Sequence, residues 1–216
     1  MEIRVSLTAC LVLFFAPLAG AETLHVRVIG VDQEPVADVA VFVKQRDAER
    51  PRQAPAAAVM DQRDSRFVPH LLVVQTGAPV AFPNSDSIAH HVYSFSKPNN
   101  FELPLYKGTP PEPVDFAHEG VVTIGCNIHD SMLGYIVVVD TDVFAMTDEN
   151  GEVRLDVDGA ATGWEVSIWS PRIRDSRDPI VRQIQAGEAL ATTFVLSKKL
   201  RPAHDDYSES VSWDDY

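Results

Sequence analysis

The chain has 216 residues, with 31 Asp and Glu against 18 Lys and Arg, for a formal net charge of −13. Such an acidic surface excludes a nucleic-acid partner and suits a basic protein partner, whose electrostatic steering weakens in salt. Two cysteines are present, so at most one internal disulfide is available, and the N-terminus removes even that.

Arg4 precedes an apolar run from Leu11 to Leu18, and Ala19-Gly20-Ala21 follows before Glu22. A positive start, a short apolar core and a small-residue site predict a secretory signal peptide over 1–21, too short to span a bilayer. Cleavage after Ala21 leaves 195 of the 216 residues and places the protein in the periplasm. Leu-Thr-Ala-Cys10 resembles a lipid-attachment box, but its apolar run follows the cysteine, so lipidation is not expected. Loss of Cys10 leaves Cys126 alone. A lone cysteine in an exported chain is inert in a core, reactive, intermolecular or metal-bound.

The remaining pattern is β throughout. Residues 24–29 alternate and end at Gly30, and 36–43 follow a turn around Asp32–Pro35. Residues 46–58, rich in Arg, Pro, Gln and Ala, read as a surface loop. Further short apolar runs at 67–68, 71–74, 80–82, 91–95, 114–116, 121–124 and 135–139 are separated by Gly, Pro and Asn, the spacing of a sandwich or barrel. These predict one domain over 22–142. After Thr141, residues 143–147 and 153–157 read as a hairpin across Asn150-Gly151. Trp164, Val166 and Ile168 fall on one face of the next strand, and Thr193–Leu196 is the last. Residues 143–200 therefore form a small additional β unit, expected to pack on the first because it is too small to stand alone. Residues 201–216 carry five acids and little to bury, the composition of a disordered tail.

The chemistry sits in Gly-Cys126-Asn-Ile-His129-Asp-Ser-Met132. A soft thiolate, an imidazole and a thioether at this spacing suit copper, and a blue-copper electron-transfer site takes two histidines and a cysteine in a plane with a weak axial methionine. The second histidine comes from His90-His91. Strand alternation points these two to opposite faces, and His90, at the loop–strand junction, is the expected ligand. His91 is the candidate for a supporting position beside the site. His25, His70, His118 and His204 read as structural or solvated, with His70 able to approach the site, and Met60 is an alternative axial donor.

Together, Phe82-Pro-Asn-Ser-Asp-Ser-Ile-Ala-His90-His91-Val and the Cys126–Met132 loop resemble a cupredoxin of the plastocyanin and amicyanin type, and exported bacterial proteins labelled methylamine-utilisation or plastocyanin-like. The resemblance covers roughly residues 22–140. It implies an all-β Greek-key sandwich, copper held by His90, Cys126, His129 and Met132, and one-electron exchange through the His129 edge. The implied partner is a c-type cytochrome or a periplasmic dehydrogenase, met by a monomer. His91 stands where the family carries an asparagine. A copper chaperone, buffer or sensor is the alternative. A copper oxidase or reductase would need a second centre, for which no His-x-His pair is present, so an enzyme is not expected.

Overall fold

A computed structural model describes residues 21–45, 54–110, 112–158, 163–174 and 177–203. The expected signal peptide up to residue 20, most of the loop 46–58 and the acidic tail from 204 onward lie outside these residues. The strands in chain order are β1 (Ala21–Ile29), β2 (Ala40–Gln45), β3 (Ala58–Val59), β4 (Asp61–Arg63), β5 (Arg66–Val68), β6 (Leu71–Gln75), β7 (Ala78–Ala81), β8 (His90–Ser94), β9 (Phe101–Tyr106), β10 (Val114–Phe116), β11 (Gly120–Gly125), β12 (Leu133–Val139), β13 (Phe144–Met146), β14 (Glu152–Asp158), β15 (Trp164–Trp169), β16 (Ile180–Ile184) and β17 (Ala191–Val195). No helix occurs among the described residues, so none is long and apolar enough to cross a membrane.

Four of the five sheets among the described residues stack with three apolar layers between them, and the fifth is the β4-β5 hairpin. A three-stranded sheet, β14-β1-β17, packs on a four-stranded sheet, β13-β2-β15-β16. Leu24, Val26 and Val28 of β1 meet Val41 and Val43 of β2 and Trp164, Val166 and Ile168 of β15 in the core between them. A five-stranded sheet, β6-β12-β11-β8-β9, forms the second sandwich with β10-β7-β3, around Phe67, Phe82, Val92, Phe116, Ile124 and Ile136. The third layer joins the two sandwiches. Ala40 and Phe42 of β2 and Trp169 of β15 meet Leu71, Val73, Tyr135, Val137 and Val139.

Alternation along single strands explains this stacking. In β12, Ile136 and Val138 face the second sandwich core, while Tyr135, Val137 and Val139 face the joining layer. Successive strand residues point to opposite faces, so a strand buried on both sides needs an unbroken apolar run. Ile136-Val-Val-Val139 and Leu71-Leu-Val-Val74 supply it. Gly134 has a packing reason of its own: a Cβ there would stand 2.9 Å from Cβ of Phe67, which lets β12 lie close over β5.

The division expected at 142/143 does not follow the strand pairing. β1 runs antiparallel to β14 from Ala21↔Asp158 to Arg27↔Glu152 and parallel to β17. β2 pairs with β13 and β15. The first two strands therefore complete the C-terminal unit, which is a seven-stranded sandwich and not a small appendage. The alternating pattern at 24–29 and 36–43 is indifferent to partner, and these partners lie more than 100 residues away. The hairpin expected across Asn150-Gly151 is also corrected. The turn exists, with Gly151 at φ 69° and the Asp148 carboxylate accepting the N–H groups of Asn150 and Glu152. It carries the chain from one sheet to the other, because β13 pairs with β2 and β14 with β1.

Candidate metal centre

β11 and β12 form an antiparallel ladder that closes at Gly125↔Leu133. The seven residues Cys126–Met132 are the loop of that hairpin. Its neck is tied by the Cys126 N–H donating to the Met132 carbonyl at 3.2 Å, and its tip by the Met132 N–H donating to the His129 carbonyl at 2.9 Å. These bonds fix where the loop's side chains stand. Cys126 and Met132 are buried together in the second sandwich core.

β8 lies beside β11, bridged at Gly125↔Tyr93, and places His90 against the loop. The imidazole of His90 is fully buried, at 0 % exposure. Its Nδ1 is 3.8 Å from Cys126 Sγ, and Nδ1 of His129 is also 3.8 Å from the same sulfur. The two imidazoles stand 4.9 Å apart, centroid to centroid. Ligand atoms of His90, Cys126 and His129 all lie within 4.8 Å of one another. A metal about 2.0 Å from nitrogen and about 2.3 Å from a thiolate, with angles near 120°, sets sulfur and nitrogen about 3.7 Å apart. The two sulfur–nitrogen distances match that spacing, so the residues present fit a shared ion.

The sequence singled out four ligand candidates, and three converge. Met132 shares the buried cluster and is pinned by its backbone to Cys126. Among the described residues no other group of three His, Cys, Asp or Glu side chains comes together in this way. His91 points to the other face of β8, where its Nε2 lies 3.0 Å from a Glu102 carboxylate oxygen and its ring stacks near Tyr93. The structure therefore does not bring the His91 ring to the Cys126 sulfur. His70 approaches the loop without joining the group: its Nδ1 lies 3.0 Å from the Leu133 carbonyl oxygen. Met60 is a core residue at 0 % exposure.

Asp86 is the residue that sequence reasoning missed. Its Oδ2 lies 2.6 Å from His90 Nε2. Burial acts to raise its pKa, but the Ser65 N–H, the His90 ring and the Asp64 N–H outweigh that and hold the carboxyl below its ordinary value. An ionised carboxylate only accepts, so the His90 proton sits on Nε2. The Nδ1 lone pair is then left facing Cys126. Nearby, burial pushes the Tyr106 hydroxyl up to about 12. It stays protonated and donates to the Phe82 carbonyl at 2.6 Å, holding β9 against the segment that leads to Asp86.

Access differs sharply between the two histidines. His90 is sealed, whereas His129 is partly exposed. Two exposed apolar side chains lie near the ligand residues in sequence, Ile128 just before His129 at 51 % exposure and Ile88 two residues before His90 at 44 %.

The chain matches no family model and no curated protein. Among solved structures it is similar to cupredoxins. A mutant amicyanin in its Cu(I) form is 22 % identical, with a TM-score of 0.33 over 38 % of this chain and 82 % of that one. A purple cupredoxin from Nitrosopumilus maritimus is 21 % identical, with a TM-score of 0.34 over 38 % of this chain and 99 % of that one. A copper-containing nitrite reductase from Thermus scotoductus SA-01 is 20 % identical, with a TM-score of 0.37 over 44 % of this chain. The chain spans only 25 % of that reductase.

Proposed function

We propose that the protein is an exported copper protein with a blue-type site that carries single electrons between periplasmic redox partners. In this reading His90, Cys126 and His129 would hold copper, with Met132 as a fourth, weak donor. The observation that carries it is the buried Cys126 thiol set 3.8 Å from Nδ1 of both His90 and His129. The fourth candidate donor is a thioether. Structural zinc sites take thiolate, imidazole or carboxylate instead, whereas a weak methionine suits copper. Bound copper would supply a one-electron cycle between its two common oxidation states.

The chain's own residues support a carrier over a catalyst. Cys126, His90 and Met132 are at most 4 % exposed, which argues against the open coordination position that a catalytic metal needs. The backbone ties across the Cys126–Met132 loop hold the donors rigid, so little has to rearrange when charge changes. The His129 ring is the one donor near solvent. Exposed Ile128, adjoining His129 in the chain, gives that edge an apolar element suited to small, transient contacts with a redox protein such as a c-type cytochrome or a periplasmic dehydrogenase. Export rests on the signal-like residues 1–21, and membership of a methylamine-utilisation system rests on the resemblance alone.

A second reading, a copper chaperone, buffer or sensor, draws on the seven-stranded sandwich that does not carry the site, which electron transfer by itself does not require. Copper off-rate and electron exchange separate the two. Stopped-flow mixing of the copper-loaded protein with a reduced c-type cytochrome is expected to give fast exchange, together with copper release over hours. Fast release to a chelator with no electron exchange would favour the second reading and overturn the first.

A further inference from the structure

We propose that Asp86 is a positioning residue that sets the donor strength of His90 and thereby biases the metal site toward its oxidised state. The inference rests on the copper reading and adds a group to it that supplies no metal ligand.

Three elements converge to place this carboxylate. Asp64 and Ser65, the two turn residues between β4 and β5, have φ of 53° and 54°. Positive φ at both centres is the mark of a tight type I′ hairpin, and it aims both backbone N–H groups outward together. Asp86 Oδ1 accepts from Asp64 N at 2.7 Å and Oδ2 accepts from Ser65 N at 2.9 Å. From its own segment, the Asp86 N–H donates to Asn84 Oδ1 at 3.0 Å. Asn84 is buried, and its Nδ2 donates to the carbonyls of Ile88 and Tyr106, both at 2.9 Å. The carboxylate is thus fixed before it meets His90.

A fixed anion behind a buried imidazole acts in two ways. It locks the Nε2–H tautomer and the ring orientation, so that Nδ1 faces the metal plane without reorganisation. It also raises the basicity of Nδ1, as carboxylates behind metal-ligating histidines do, and such outer partners are worth about 10–100-fold in metal affinity. Added negative charge next to the site favours the more highly charged metal. Cu(II) gains more than Cu(I), and the reduction potential falls. With Asp86 in place the His90 ring is fully buried, so the carboxylate and not water is its Nε2 partner.

Asp86 also caps the hairpin turn, so a structural role must be separable from an electronic one. Asp86→Asn, compared with Asp86→Ala, does this. The asparagine oxygen keeps an acceptor for His90 Nε2–H and Ser65 N–H while the charge is removed, at the loss of the bond from Asp64 N–H. Two measurements apply to the wild-type protein, Asp86→Asn and Asp86→Ala. The first is the His90 tautomer in the metal-free protein, by long-range proton–nitrogen correlation NMR. The second is the ratio of Cu(II) to Cu(I) affinity, by chelator competition and spectroelectrochemistry. Wild type is expected to show one Nε2–H tautomer, and Asp86→Ala a mixture of two. Asp86→Asn is expected to keep the metal-free melting temperature closer to wild type than Asp86→Ala does, to lower Cu(II) affinity by about 10-fold or more with a smaller loss for Cu(I), and to raise the potential accordingly. An unchanged ratio and potential in Asp86→Asn, with copper bound, would overturn the proposal and leave Asp86 a turn cap. A wild-type protein that binds no copper would overturn the copper reading and this proposal with it. An unlocked tautomer in the wild-type metal-free protein would overturn this proposal alone.

Discussion

His90→Gly is expected to lower copper affinity by more than about 100-fold, beyond what outer partners alone contribute, and added imidazole is expected not to restore it. His129→Gly is expected to lose affinity as well but to recover a coloured copper complex in millimolar imidazole. The difference follows from burial. His90 is 0 % exposed and is wedged between Cys126 and Asp86, so its removal opens an internal cavity beside a carboxylate that keeps only the Asp64 and Ser65 N–H groups. The lost hydrogen bond adds to the cost of the cavity. His129 is partly exposed, so a small ligand from solution can reach its place. Absorption spectroscopy during imidazole titration reads both variants. Equal rescue of the two would contradict the assignment of His90 as the inner donor and His129 as the outer edge.

Trp169→Ala is expected to destabilise the fold by about 3–5 kcal/mol, the usual cost of truncating a buried tryptophan. For a chain of this size that corresponds to a fall in melting temperature of roughly 6–20 °C. Trp169 is 4 % exposed and its ring packs 5.5 Å from that of Tyr135. It reaches from β15 of one sandwich into the layer over β12 of the other. β12 also carries the far end of the metal loop, so loss of Trp169 weakens the platform under the site and uncouples the two sandwiches. Thermal unfolding followed by near-ultraviolet circular dichroism is expected to change from one transition to two. A single transition within 1 °C of wild type would show that the joining layer carries little of the stability.

The site was more legible in the sequence than the architecture around it, for a physical reason. Cys126, His129 and Met132 occupy one hairpin loop, so their chemistry is written in local spacing. Two-residue periodicity was enough to separate His90 from His91 across the faces of β8. Asp86 was not legible. Its link to His90 depends on an irregular segment and on a turn twenty-one residues upstream, and neither leaves a periodic trace. The strands themselves were visible from their apolar runs, but their partners were not. Nothing local in Leu24–Ile29 says that β1 pairs with β14 and not with its neighbours. The two-sided burial of β6 and β12 did have a signal, the unbroken runs at 71–74 and 136–139, which differ from the alternation of a half-exposed strand. Phe101–Tyr106 was missed because Pro104 interrupts it, as expected for a strand at a sheet edge, where β9 lies.

Cys126 is expected to bind copper as a thiolate between the imidazoles of His90 and His129. The visible absorption spectrum of the protein after one equivalent of Cu(II), recorded beside Cys126→Ser, tests it most directly. An intense blue or green thiolate-to-copper band is expected in the wild type and is expected to be absent from the variant. A wild-type spectrum with only the weak absorption of copper bound by nitrogen and oxygen, or one unchanged by Cys126→Ser, would contradict it.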